Sequence, residues 1–177
     1  MTTRVVLSIG SNLGDRMAHL QSVVDGLAGA VRAVSPVYET EAWGGVEQGP
    51  FLNAVLIAEA EELDPYGWLD RAHEFENAAS RVRDQRWGPR TLDVDIISYG
   101  TVVSDDPELT LPHPQAHERA FVLVPWHDVD PAAELPGHGP VAGLIAGLAG
   151  PARPASPAGD GLPDGLRRAG AELRRPS

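Results

Sequence analysis

The chain predicts an α+β domain whose elements alternate as β-α-β-β-α-β, and three observations carry that prediction. Arg4–Ile9, Phe51–Glu59 and Leu92–Ser98 are short apolar runs of strand length, rich in Val, Leu and Ile. Two stretches with apolar residues at helical spacing, one after Asp15 and one after Asp64-Pro65, fall between them. At 177 residues and 42% hydrophobic content there is room for one sizeable core.

The elements follow in order. Arg4–Ile9 is the first strand, and Gly10-Ser11-Asn12-Leu13-Gly14-Asp15 reads as a tight strand-to-helix turn. Asp15 is placed as N-cap of a helix that carries Met17, Leu20, Val24, Leu27 and Ala28 to about Ala30. Val34–Glu39 is the second strand, at an edge or interrupted because Pro36 has no N–H to give a ladder. Residues 40–50, with Trp43 and three glycines, read as a loop suited to a substrate lid. Phe51–Glu59 is the third strand, and Asn53 is the uncharged polar residue within it. Asp64 and Pro65 start the second helix, which turns Trp68, Leu69, Ala72 and Phe75 inward and ends near Ala79. Leu92–Ser98 is the fourth strand, Tyr99-Gly100 a turn, and Thr101–Val103 a short pairing strand. Gln115–Val124 and Val141–Leu148 read as short helices, with residues 125–149 otherwise peripheral. This is the ferredoxin-like split βαβ arrangement, with added C-terminal elements. It puts the first and third strands centrally, the fourth beside the first, and helices over one sheet face. Residues 1–149 are expected to form the folded domain, and 150–177, rich in Pro, Ala, Gly and Arg, a flexible tail without a catalytic role.

Composition excludes several chemistries. Without cysteine there is no disulfide, thiolate metal site or catalytic thiol, and without lysine no P-loop lysine or Schiff base. Residues 1–149 hold nine arginines against twenty-two Asp and Glu, and 150–177 hold five against three, so an acidic body (net charge −11 overall) argues against nucleic acid as a partner. No signal pattern and no apolar run of about 18 residues is present, so a soluble cytoplasmic protein without a membrane partner is expected.

The chemistry concentrates in Arg86-Trp87-Gly88-Pro89-Arg90-Thr91-Leu92-Asp93-Val94-Asp95-Ile96-Ile97. Side chains alternate across a strand, so Asp93 and Asp95 leave the same face with Cα atoms about 7 Å apart. Two carboxylates side by side repel unless a cation lies between them, and oxygen ligands suit Mg²⁺. Arg81, Arg83, Arg86 and Arg90 put four guanidinium groups before the pair, and guanidinium is the bidentate partner of phosphate. Together they point to a Mg²⁺–polyphosphate, most simply ATP. On the expected topology the acid pair sits near the sheet centre. Downstream, His113 is held extended between Pro112 and Pro114, and the histidines show no zinc-ligand spacing.

These residues, with Gly10-Ser11-Asn12-Leu13-Gly14, Tyr38-Glu39-Thr40, Phe51-Leu52-Asn53-Ala54 and Leu111-Pro112-His113-Pro114, resemble the 6-hydroxymethyl-7,8-dihydropterin pyrophosphokinase family over roughly residues 4–135. The resemblance implies pyrophosphate transfer from ATP to the pterin hydroxymethyl group with release of AMP, two Mg²⁺ ions, and a monomer. It implies that Asp93 and Asp95 hold both metals, and that Arg81 and Arg90 grip phosphate and close over the transition state. Glu76, Arg83, Arg86, Trp87, Ile96, Thr110, His113 and Arg119 then belong to the ATP side. Thr40, Ala42, Trp43, Phe51, Asn53, Trp87, Asp93 and Phe121 belong to the pterin side, with Phe51 and Phe121 as the aromatic pair. Two departures stand out: Glu41-Ala42-Trp43 where the family is proline-rich, and Asp84 in the arginine loop. The residues themselves leave open a Mg²⁺-nucleotide transferase with another acceptor, or a silent nucleotide sensor.

Overall fold

Apolar runs become strands and the periodic stretches become helices largely where their patterns place them; the computed structural model describes residues 3–40, 50–79, 92–148 and 166–175. Strand β1 (Arg4–Ser11) continues through Gly10 and Ser11, so the expected turn begins only at Asn12. Helix α1 (Arg16–Leu27) starts under the Asp15 carboxylate, which accepts from the Ala18 N–H at 3.1 Å, and a 3-10 turn over Ala28–Ala30 closes it.

The expected second strand is two. β2 (Val31–Val34) and β3 (Pro36–Thr40) are separated by buried Ser35. Pro36 offers no N–H, and Ser35 repairs the break: its N–H donates to the Val55 carbonyl (2.9 Å) and its hydroxyl accepts from the Val55 N–H (2.8 Å). β4 (Phe51–Glu59) therefore faces β1 on one side and both β2 and β3 on the other, all antiparallel. Helix α2 (Pro65–Ala79) opens with the Gly67 N–H on the Asp64 carboxylate at 2.7 Å. β5 (Asp93–Tyr99) pairs with β1.

The six-stranded sheet runs in the order β10-β3-β4-β1-β5, with β2 beside β4; its last member, β10, is Leu166–Glu172. The flexible-tail reading of 150–177 therefore does not hold for residues 166–175, which form this strand and the segment that follows it. The short strand expected at Thr101–Val103 does not form there; a strand begins just after those residues, at Ser104. β6 (Ser104–Asp106) pairs with β7 (Leu109–Leu111) in a separate hairpin.

Both faces of the sheet are covered, not one. Val5, Leu7 and Ile9 pack with Leu20, Val23, Val24 and Leu27 of α1 and Trp68 and Ala72 of α2. On the reverse, Val6, Val55, Ile57 and Ile97 pack with Val122, Leu123 and Trp126 of α3 (Ala120–Val129). A small hairpin, β8 (Glu134–Leu135) with β9 (Gly139–Pro140), and α4 (Val141–Leu148) complete that layer. The region expected to be peripheral thus builds a second core, in which Trp126, Ala133, Leu135 and Val141 are buried. α3 also runs through Pro125, where the helix was expected to stop.

Candidate active site

Among the described residues β5 pairs only with β1, whose other side is taken by β4. The acid pair consequently stands on an edge strand and not near the sheet centre. Asp93 lies opposite Gly10 and Asp95 opposite Ser8, while Val94 and Ile96 between and beyond them point into the core under α1 and α2. The strand is regular over this stretch, its register shift coming only between Val6 and Leu7, so both half-buried carboxylates leave the other face, as their spacing predicts.

An edge strand leaves alternate N–H groups unpaired by the sheet. Glu76, in the last turn of α2, takes one of them: its carboxylate accepts from the Val94 N–H at 3.2 Å. Burial pushes the Glu76 carboxyl up, the Val94 N–H pulls it back, and the charges on Asp93 and Asp95 push it up again. Three acids thus share one neighbourhood, whose potential a divalent cation would relieve. Among the described residues no three His, Asp or Glu side chains converge closely enough to hold a metal alone. Mg²⁺ fits that donor set, since it is commonly held by one or two carboxylates, with phosphate and water oxygens completing its shell.

Across the sheet from Asp93 a second polar feature lies on the same face. Cα partners run Asp93–Gly10, Gly10–Asn53 and Asn53–Tyr38, crossing four strands in one row. Asn53 is 4% exposed, and its amide Nδ2 donates to Thr40 Oγ1 at 2.9 Å. A Cβ on Gly10 would stand 2.8 Å from Asn53 Oδ1 and 3.7 Å from Phe51 Cδ1. Gly10, part of a turn on the sequence pattern, therefore joins the candidate site: it leaves the room Asn53 fills. The available signal was a glycine continuing an apolar strand, which marks close approach of another group. Phe121, on α3, is half-buried beneath the Arg119 guanidinium, 5.5 Å from its ring centre.

On the β5 side, His113 is anchored by its own N–H donating to the Ile97 carbonyl (2.8 Å). Its Nδ1 accepts from the Gln115 N–H at 3.2 Å, which leaves Nε2 as the protonated nitrogen. Burial first and the Arg119 charge second push the His113 imidazole down, toward the neutral form. Arg119 itself donates to the Gln115 side chain. Thr110, on β7, donates its hydroxyl to the Asp106 carbonyl at 3.0 Å. Ile96 is 5% exposed with its side chain in the core, so what it can offer a nucleotide is main chain. Ala42, Trp43, Arg81, Arg83, Arg86, Trp87 and Arg90, with the departures at Glu41 and Asp84, lie outside the described residues.

Fold and site define a mixed α/β protein built on an antiparallel sheet, whose edge strand carries paired carboxylates suited to a hard cation. The chain belongs to the 7,8-dihydro-6-hydroxymethylpterin-pyrophosphokinase (HPPK) family, whose model matches residues 6–131. It is 60% identical over 158 residues to a Mycobacterium tuberculosis 2-amino-4-hydroxy-6-hydroxymethyldihydropteridine pyrophosphokinase, covering 82% of this chain and 84% of that protein. A Methylorubrum extorquens protein of the same name is 44% identical over 140 residues, 76% of this chain and 87% of its own length. Among solved structures, a Plasmodium falciparum HPPK-DHPS variant with SDX-DHP superposes at TM-score 0.70 and 13% identity, over 95% of this chain and 49% of that chain. That likeness concerns the fold.

Proposed function

We propose that this chain transfers pyrophosphate from ATP to the hydroxymethyl group of 6-hydroxymethyl-7,8-dihydropterin, releasing AMP, as the pyrophosphokinase step of folate biosynthesis. The observation that carries it is the row from Asp93 through Gly10 to Asn53, which sets a cation-suited acid pair and an orienting amide on one face of one sheet. Asn53 is fixed by its bond to Thr40, which leaves the rest of the amide for the edge of a heterocycle. Phe51 and Phe121 are the aromatic surfaces for a flat pterin ring. Asp93 and Asp95 would hold Mg²⁺, two ions on the family pattern, and metal bound there supplies neutralisation of phosphate charge. His113, neutral and donating through Nε2, with Arg119 and Thr110, makes the nucleotide side; Glu76 steadies β5 from its edge. Arg81, Arg83, Arg86, Trp87 and Arg90 on the nucleotide approach, and Ala42 and Trp43 on the pterin side, complete the reading from sequence.

The strand order β3-β4-β1-β5, with α1 and α2 as the crossovers, supports a ferredoxin-like core. Among the described residues no helix is long and apolar enough to cross a membrane. The acidic charge favours small-molecule partners, ATP and the pterin, over nucleic acid, and the family pattern implies a cytoplasmic monomer without a membrane partner. The test is a coupled assay for AMP with the hydroxymethyldihydropterin, with and without Mg²⁺. AMP release that needs both is expected; release indifferent to the pterin replaces this reading with another nucleotide transferase.

A further inference from the structure

β10 runs antiparallel along β3, with Leu166 opposite Thr40, Arg167 opposite Glu39 and Arg168 opposite Tyr38. It is fastened on both faces. Leu166 is buried with Tyr38 and Val124, and Arg168 lies beside the Tyr38 hydroxyl, which donates to Asp128 of α3. On the α1 side Arg167 Nη2 donates to Glu39 Oε1 at 2.7 Å. Glu39 Oε2 lies 3.7 Å from Arg16 Nη1, and Arg16 Nη1 donates to the Pro50 carbonyl at 2.8 Å. Beyond the strand, the Gln21 side chain exchanges two 2.8 Å hydrogen bonds with the Arg174 backbone.

The chain Arg167–Glu39–Arg16–Pro50 joins four segments (β10, β3, α1 and the entry to β4), and its position matters more than its strength. Ion pairs as exposed as these contribute only about 0.2–1 kcal/mol each. Glu39, however, immediately precedes Thr40, and Pro50 immediately precedes Phe51. Thr40 and Phe51 are Cα partners at the ends of β3 and β4, and Asn53, two pairs further along on the same face, bonds to Thr40. One carboxylate shared by two guanidinium groups therefore sits directly behind the residues assigned to the pterin.

We propose that Arg167 is a positioning residue for the pterin side of the site: through Glu39 and Arg16 it holds the ends of β3 and β4 in the register that aligns Thr40, Phe51 and Asn53. The inference rests on the function proposed above and assigns the last strand a task within it. Arg167 touches no substrate. The nucleotide-side groups Glu76, Thr110, His113 and Arg119 stand on α2, on β7 and between β7 and α3, so the loss of Arg167 falls on the pterin alone.

The test is steady-state kinetics of the full chain with Arg167→Ala, Arg167→Lys and Glu39→Gln, alongside Arg4→Ala, which breaks the Arg4–Glu59 pair (3.1 Å) at the opposite end of β4. Misplacement of a substrate by about 1 Å costs up to about 100-fold, and a partial loosening is expected to raise the pterin KM by about 10-fold. The ATP KM stays within about twofold, Arg167→Lys recovers part of the loss, and Arg4→Ala changes neither constant. Should Arg167→Ala fail to fold, Arg167→Lys and Glu39→Gln carry the same comparison. Equal rises in both KM values, an unchanged pterin KM, or the same change in Arg4→Ala overturns the proposal alone. Wild-type chain that neither binds nor consumes the pterin, as read by equilibrium fluorescence, overturns the function and the proposal with it.

Discussion

Asp95 and Asp93 share a face but not a burden, because Asp95 sits opposite Ser8, deeper along β1, and Asp93 opposite Gly10, next to the Asn53 row. Replacing Asp95 by Asn keeps the shape of the strand and removes one of the two carboxylates proposed to hold the metal. AMP formation is expected to fall by at least about 100-fold, while the circular dichroism spectrum and melting temperature stay close to wild type. Near-normal AMP release by that variant would remove the paired-carboxylate role. Tyr38 offers a pH test elsewhere in the same row. Burial, then the hydrogen bond and charge of Asp128, raise its phenol to about 12, with Arg168 pulling the other way. The neutral phenol is thus favoured by folding. Its contribution is complete below an unfolded value of about 10 and is lost as pH rises from there toward 12. The absence of lysine and cysteine clears that window of amine and thiol titrations. Urea midpoints measured from pH 9 to 12 are expected to fall less steeply for Tyr38→Phe than for wild type.

The two helices on the α1 side meet where a glycine permits it. A Cβ on Gly26 would stand 2.4 Å from Phe75 Cε1, and Arg71 caps the contact by donating to the Gly26 carbonyl (2.9 Å) and stacking on the Phe75 ring (4.6 Å). Gly26→Ala gains helix propensity of nearly 1 kcal/mol yet overpacks, for a net loss of about 1–2 kcal/mol. Chemical denaturation should show it, and Phe75→Leu in the same chain should recover most of it. Elements with local signals were legible in the sequence: caps at Asp15 and Asp64, the run Phe51–Glu59, and the alternation that put both aspartates on one face. Those whose reason is non-local were not. α3 passes through Pro125 because its neighbours Leu123 and Trp126 are buried in the second core, which outweighs one missing hydrogen bond. The acid pair sits at an edge because strand order depends on which side of β1 is already taken. β10 reads as Leu-Arg-Arg-Ala-Gly-Ala-Glu, poor in strand formers, and is a strand because β3 is there to pair with it. In the candidate site, the acid pair, Asn53 and His113 stand out by residue type; Gly10, Glu39, Arg16 and Arg167 take their meaning from what the fold sets beside them.

At the scale of the molecule, the sheet is sealed on both faces yet closed on one flank by a piece of chain that arrives last. Arg167 and Glu39 are 128 residues apart in sequence, so the pairing of β10 with β3 closes a very long loop, the slowest kind of contact to form. β4, flanked on both sides and buried along most of its length, belongs to the opposite extreme. Native-state hydrogen exchange is expected to rank them so: amides of residues 166–172 exchange through a partial opening well below the free energy that exposes β4. A single common value for both would mean that the flank opens only when the whole sheet does. Each such opening bares the outer rim of β3, a ready template for a strand of the same kind. In concentrated solution that rim can accept the last strand of a neighbouring molecule, so strand-swapped dimers should grow with protein concentration and mild denaturant, seeded at the pterin-side flank.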